Sequence, residues 1–199
     1  MPAAKAPPNS VHPQSLAEWR AWLAEHYTRA EGVWLITYKK ATGRPRFDYA
    51  EGVEEALCFG WIDSRANTLD AERSMLWYAP RQPGTGWSRV NKERIERLIA
   101  AGRMAAPGLA KIKAAQADRS WHALDEVEAL TIPPDLAAAL AAHPPAAEHF
   151  AAFPRSAKRA ILEWISSAKK PETRAKRVAE TATEAAANRR ANQWRQPSK

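Results

Sequence analysis

The chain has 199 residues, 45% of them hydrophobic and 26% charged, with a formal net charge of +8. That length suits one domain, or one domain with a helical appendage, and the composition is that of a soluble globular protein. A single cysteine excludes a disulfide framework and a zinc site of paired cysteines. No apolar run reaches the roughly 18 residues of a membrane span, and the opening "MPAAKAPPNSVHPQ" has no apolar signal core, so a cytoplasmic location is expected.

Residues 1–14 are rich in Pro and Ala and are expected to form a flexible arm. "SLAEWRAWLAEHY" then reads as an amphipathic helix with Ser15 as N-cap and Glu18 completing a capping box. Leu16, Trp19, Leu23 and Tyr27 form its inward stripe. After Gly32, "VWLITYKK" has the aromatic and β-branched content of a strand, with Trp34, Ile36 and Tyr38 on one face. "TGRPR" turns the chain into a second helix from Asp48, with Tyr49, Val53, Ala56 and Leu57 inward and Gly60 at its C-terminal end. "WIDSRA" and "SMLWYAP" are two further strands. "RQPGTG" is a loop, and Ser88 caps a helix that turns Ile95, Leu98 and Ile99 inward and closes at Gly102. "GLAKIKAAQA" is a short helix, followed by an acidic linker, "HALDEVEALTIPP". Beyond Pro134 everything reads as helix, divided by prolines 144, 145, 154 and 171.

The expected fold class is therefore α+β: a small antiparallel sheet packed with helices, followed by a helical C-terminal unit. The boundaries are an arm at 1–14, an α+β body at 15–125, a helical unit at 126–190 and a disordered tail at 191–199.

Charge is uneven along the chain. From Arg155 onward 12 Lys/Arg stand against 4 Asp/Glu, while residues 1–154 hold 18 of each. The whole excess falls on the last stretch, which suits an anionic partner such as nucleic acid or an acidic protein. Arg155, Lys158, Arg159, Lys169, Lys170, Arg174 and Arg177 are the candidate contacts. A solvated helix face accounts for the same charges, and no nucleic-acid-reading motif accompanies them.

Two constellations could carry chemistry. The first is "EALCFGWIDS", which sets Cys58, Trp61 and Asp63 within six positions. Cys58 lies on the apolar side of its helix, where a free cysteine behaves as a small hydrophobe. Asp63 either sits solvated, or projects into a cleft and pairs with Arg65, Arg73 or Arg81. Asp70 is the second acid within reach for acid–base work. The second constellation gathers Arg81, Trp87, Ser88, Asn91 and Arg94, where an arginine, an indole and a helix N-terminus could receive an anion. Plain capping by Ser88 explains the serine alone. The five histidines (12, 26, 122, 143 and 149) show no ligand spacing, so no metal and no cofactor is expected. No phosphate loop, dinucleotide fingerprint or nucleophile elbow is present, which leans against an enzyme.

"GVWLITYKK", "YAEGVEEALCFGWIDS", "PRQPGTGWSRVNKERIERL" and "FPRSAKRAILEWISSAKKPETRAKRV" together resemble the YdeI/OmpD-associated family of bacteriocin-protection proteins, from about Ser15 to about Arg190. The resemblance implies protection against bacteriocins or cationic antimicrobial peptides, association with an outer-membrane porin, and a periplasmic home. It implies no reaction and no cofactor, so no catalytic residue is carried over. The combined expectation is a stress-protection protein that binds an anionic small molecule or protein partner through Trp61, Asp63, Asp70, Arg81, Trp87, Ser88, Asn91 and Arg94. Nucleic-acid binding through the basic helices is the alternative, and an enzyme using Asp63 the second alternative.

Overall fold

A computed structural model describes residues 5–193. Residues 1–4 of the expected arm and 194–199 of the expected tail lie outside the described residues. The chain divides after Ala123 into two compact units.

The first unit carries β1 (Ser10–Val11), α1 (Leu16–His26), β2 (Val33–Tyr38), α2 (Tyr49–Cys58), β3 (Trp61–Thr68), β4 (Arg73–Pro80), α3 (Arg89–Ala100) and α4 (Ala106–Ala117). Its four strands form one sheet in the order β1-β2-β4-β3. The central pairs are antiparallel, with Trp34 opposite Trp77 and Asp63 opposite Tyr78. β1, within the stretch expected as an arm, pairs in parallel with β2, so the sheet is mixed. A bulge between Asp63 and Ala66 breaks the β3 register. The extra residue there bends the strand and re-aims its side chains.

Local rules account for most of the helix ends. Ser15 accepts from the Glu18 amide, while the Glu18 carboxylate turns back to the Gln14 amide rather than to Ser15. Asp48 and Glu51 close a full capping box at the start of α2. Gly60, at φ +76°, ends that helix in the left-handed region and starts β3. α4 crosses the end of α2 so closely that a Cβ on Gly108 would collide with the Cys58 carbonyl.

The core of this unit gathers Trp19, Leu23, Val33, Leu35, Val53, Leu57, Trp61, Tyr78, Trp87, Ile95 and Leu98. Three expected inward residues point elsewhere. Tyr27 follows the end of α1 and is exposed, Tyr49 is 57% exposed, and Ile99 is 49% exposed. Their helices are short, and one turn's drift of the apolar stripe carries the terminal member out of the core. In β2 the core-facing set is Val33 and Leu35; Trp34 lies on the opposite face, meeting Trp77 edge-on with the Arg65 guanidinium over both rings.

The second unit is built from α5 (Asp125–Ala129), α6 (Pro134–Ala141), α7 (Ala146–Ala152), α8 (Arg155–Ser166) and α9 (Pro171–Ala186). α9 packs against α6, α7 and α8. Its core joins Val127, Leu136, Leu140, Phe150, Ile161, Leu162, Ile165 and Val178, with Ala182 and Ala185 keeping the helices close. The acidic linker belongs to this unit: it folds as α5 and buries Val127. The fold is thus α+β with a helical C-terminal part. No helix among the described residues is long and apolar enough to cross a membrane.

Candidate functional site

Between α2 and the sheet, the first unit leaves part of the inner face uncovered. A cleft of about 390 Å³ opens there, within the range of small-molecule sites. Its floor is Leu35, Thr37, Ser74, Leu76 and Tyr78 from β2 and β4, with Ala66 from β3. Its wall is Phe47, Asp48, Tyr49 and Gly52 from the start of α2. Lys39, Lys40 and Arg46 also line it, against the single acid Asp48. Lys39 donates to the Asp70 carbonyl and Arg46 pairs with Asp48, leaving Lys40 the most available cation. This cleft was not legible in the sequence, because its residues come from four segments with no shared motif, and none of the expected site residues lines it.

Tyr49 and Tyr78 connect the cleft to a polar node around Asp63. The Tyr49 hydroxyl donates to the Asp63 carboxylate at 2.8 Å. Burial, with this carboxylate as acceptor, pushes the Tyr49 phenol up to about 12, and burial raises Tyr78 further still. Both phenols are therefore neutral donors near neutral pH, not proton-exchanging groups. Arg94 acts electrostatically on both tyrosines, and Asp63 acts on Arg81. Asp63, Arg81 and Arg94 are thus brought into one electrostatic neighbourhood.

The other expected site residues do different work. Trp61 is fully buried, edge-on to Trp22, with its indole N–H on the Tyr27 carbonyl. Its rings face core, not cleft. Trp87 is buried beneath the Arg81 guanidinium, which stacks 3.6 Å from the ring centroid. Ser88 caps α3 by accepting from the Asn91 amide, and the Asn91 side chain accepts from Arg94. Asp70 lies in the β3–β4 turn, away from this group. It grips the Arg73 guanidinium at 2.6 Å and takes the amides of Glu72 and Arg73. Those bonds hold its carboxyl at about 2. The loop "RQPGTG" is stapled: Arg81 donates to the Gly86 carbonyl, and the Gly84 amide donates to Asp118.

Cys58 is fully buried, and burial pushes its thiol up. Beside it lies a group the sequence did not single out. Glu55, only 3% exposed, receives Arg20 at 2.5 Å and Arg103 on its other oxygen. Glu55 falls on the inward side of its helix next to Ala56 and Leu57, and that position is the one sequence signal that could have marked it. Among the described residues, no group of three or more His, Cys, Asp or Glu is arranged to hold a metal ion.

The basic residues of the second unit are largely committed within it. Arg174 forms a bidentate pair with Asp135, and Arg159 bridges Glu128 and Glu163. Arg155 donates to the Glu128 carbonyl, Lys158 to that of Ala151, and Arg177 to that of Trp164 while lying over its ring. Lys169 and Lys170, just before α9, have no such partner among the described residues. Folding also redistributes the charge. From Leu124 on, 12 Lys/Arg meet 9 Asp/Glu, a net of +3, so the first unit carries +5.

Comparison with known proteins divides the chain in the same place. Residues 129–188, in the helical unit, match the family described as "Bacteriocin-protection, YdeI or OmpD-Associated". That bears out the family recognised in the sequence, over a shorter span than the motifs implied. No curated protein and no solved structure gives a match. The motifs around Trp61 and Trp87 fall instead in residues 11–111, just over half the chain, which match the description "Domain of unknown function (DUF8412)", and the chain belongs to that family.

Proposed function

We propose that the first unit is a binding module for a small anionic ligand with an apolar body, held in the cleft between α2 and the sheet. One observation carries this reading: an apolar and aromatic floor of molecular size is lined on one side by Lys39, Lys40 and Arg46. The apolar body would rest on Leu35, Leu76 and Phe47, while Lys40 and the neutral phenol of Tyr78 would meet the anionic end, the Tyr49 hydrogen being held by Asp63. The cleft offers positive charge from Lys40 beside a neutral phenol and an apolar floor, an arrangement suited to recognition. We further propose a protection role, in keeping with the family description that the second unit matches, and place it in the cytoplasm as a separate expectation from the sequence.

The test is a thermal-shift screen of the full chain against aromatic carboxylates, acyl phosphates and nucleotides, followed by titration calorimetry of any ligand found. A ligand at 100 times its dissociation constant adds about 2.7 kcal/mol of stability. Thr37→Phe, which fills the floor, and Lys40→Glu, which reverses the rim charge, should each weaken binding at least about tenfold, or about 1.4 kcal/mol. Unchanged affinity in both variants would place the ligand elsewhere and end this reading. Nucleic-acid binding through the second unit has weaker support, because five of its seven expected cations already serve intramolecular partners. It would be recognised by affinity that falls steeply with salt.

A further inference from the structure

Arg81 is a buried charge without a contacting counter-ion. Its side chain is 5% exposed, yet no carboxylate of the described residues lies within ion-pair distance of the guanidinium. One terminal nitrogen donates to the Gly86 carbonyl, the plane stacks on Trp87, and the Nε hydrogen has no acceptor. A buried guanidinium in that condition is costly unless something anionic reaches it. The side chain lines a cavity of about 70 Å³, closed by Pro83, Gly84, Trp87, Lys111 and Ser120. A water needs only about 10–15 Å³ on this measure, so a small oxyanion fits. Lys111 adds a second positive charge: it donates one N–H to the Arg81 carbonyl and keeps two others. The acid in the wall, Asp118, is turned to the backbone, each oxygen accepting one amide hydrogen, from Gly84 and from Ser120. None of this uses the α2 cleft.

From these contacts we infer that Arg81 and Lys111 form a second, separate site for a small oxyanion, a carboxylate or a phosphate, bound between the stapled 81–88 loop and α4. Arg81 supplies the planar donor edge and Lys111 the point charge. Bound there, the anion would hold the loop against α4 and relieve the unpaired charge, so it would act as a structural ligand of the first unit.

The experiment is a melting series on the full chain, with inorganic phosphate and acetate titrated separately against chloride at equal ionic strength. One or both oxyanions should raise the melting temperature by about 4 °C or more at saturation. Response to phosphate alone marks a tetrahedral ligand, and response to acetate alone marks a carboxylate; either supports the site. Arg81→Met and Lys111→Met should each flatten that response. Lys40→Glu, in the other cleft, should leave it intact. Arg81→Met should also lose less stability in chloride than in the active oxyanion, because it removes a charge that chloride leaves poorly matched. Should Arg81→Met fail to fold, Lys111→Met decides alone. A melting temperature indifferent to both oxyanions, or a response that survives in the folded variants, would overturn the site.

Discussion

The two units treat charge in opposite ways. In the first, ionised groups are driven into the interior: Glu55 lies in the core beneath two arginines, and Arg81 is buried on an indole. In the second, no ionised side chain of the described residues lies in the core: Arg174 meets Asp135 and Arg159 bridges two glutamates at its margin, and the buried polar group is the Thr181 hydroxyl, which donates to the Arg177 carbonyl. Interior charge is costly unless it is matched, so it is kept where it shapes a site or fixes a packing. Surface pairs contribute little to stability and are spread along helices that need only stay soluble. The contrast teaches that most of the basic stretch visible in the sequence is answered within its own unit, whereas the few buried ions are the charges the first unit has to match in its interior.

The most direct way to break this comparison is to destabilise each core separately. Trp61→Ala should cost about 3–5 kcal/mol, and Phe150→Ala a similar amount. Hydrogen exchange should show the first loss confined to residues 16–117 and the second to residues 125–186. Joint loss of protection in either variant would mean that the units do not differ as independent cores. Next in size is the interior charge. Removing Arg20 and Arg103 together leaves Glu55 buried without a cation and should cost about 3 kcal/mol, read by chemical unfolding. Arg174→Ala, which breaks a half-exposed pair of the second unit, should cost no more than about 1 kcal/mol and less in high salt. Equal costs for the two would erase the distinction.

Two pH effects sharpen the picture on a finer scale. Asp70 has a folded value of about 2, below its ordinary 3.8. Its depressed carboxyl therefore adds stability that is complete above about pH 4 and disappears as pH falls toward 2. Asp70→Asn should be flatter than the wild type across that window in acid unfolding. Tyr49 is shifted upward, so its contribution is complete below about pH 10 and is lost as pH rises toward 12. Asp63→Asn should bring the Tyr49 titration to lower pH, measured by phenolate absorbance. An unmoved titration would detach Tyr49 from the Asp63 node.

What the sequence by itself determined is local. Ser15, Asp48, Gly60, Ser88 and Pro171 mark helix ends because capping and backbone freedom act over three or four residues. Strand and helix periods, the absence of paired cysteines, and the family of the helical unit are local in the same sense. Tertiary structure alone decided that Val33 and Leu35 join the main core while Trp34 meets Trp77 and Arg65 on the other face of β2, where Ile36 is also buried. It also decided that Trp61 is core while Tyr49 reaches Asp63. The cleft depends on residues from distant segments, and the partial offset of the second unit's positive charge draws on α5, whose Glu128 pairs with Arg159 of α8. Each of these turns on through-space distance between residues far apart in the chain, 14 positions for Tyr49 and Asp63 and 31 for Glu128 and Arg159, a quantity that no local pattern encodes.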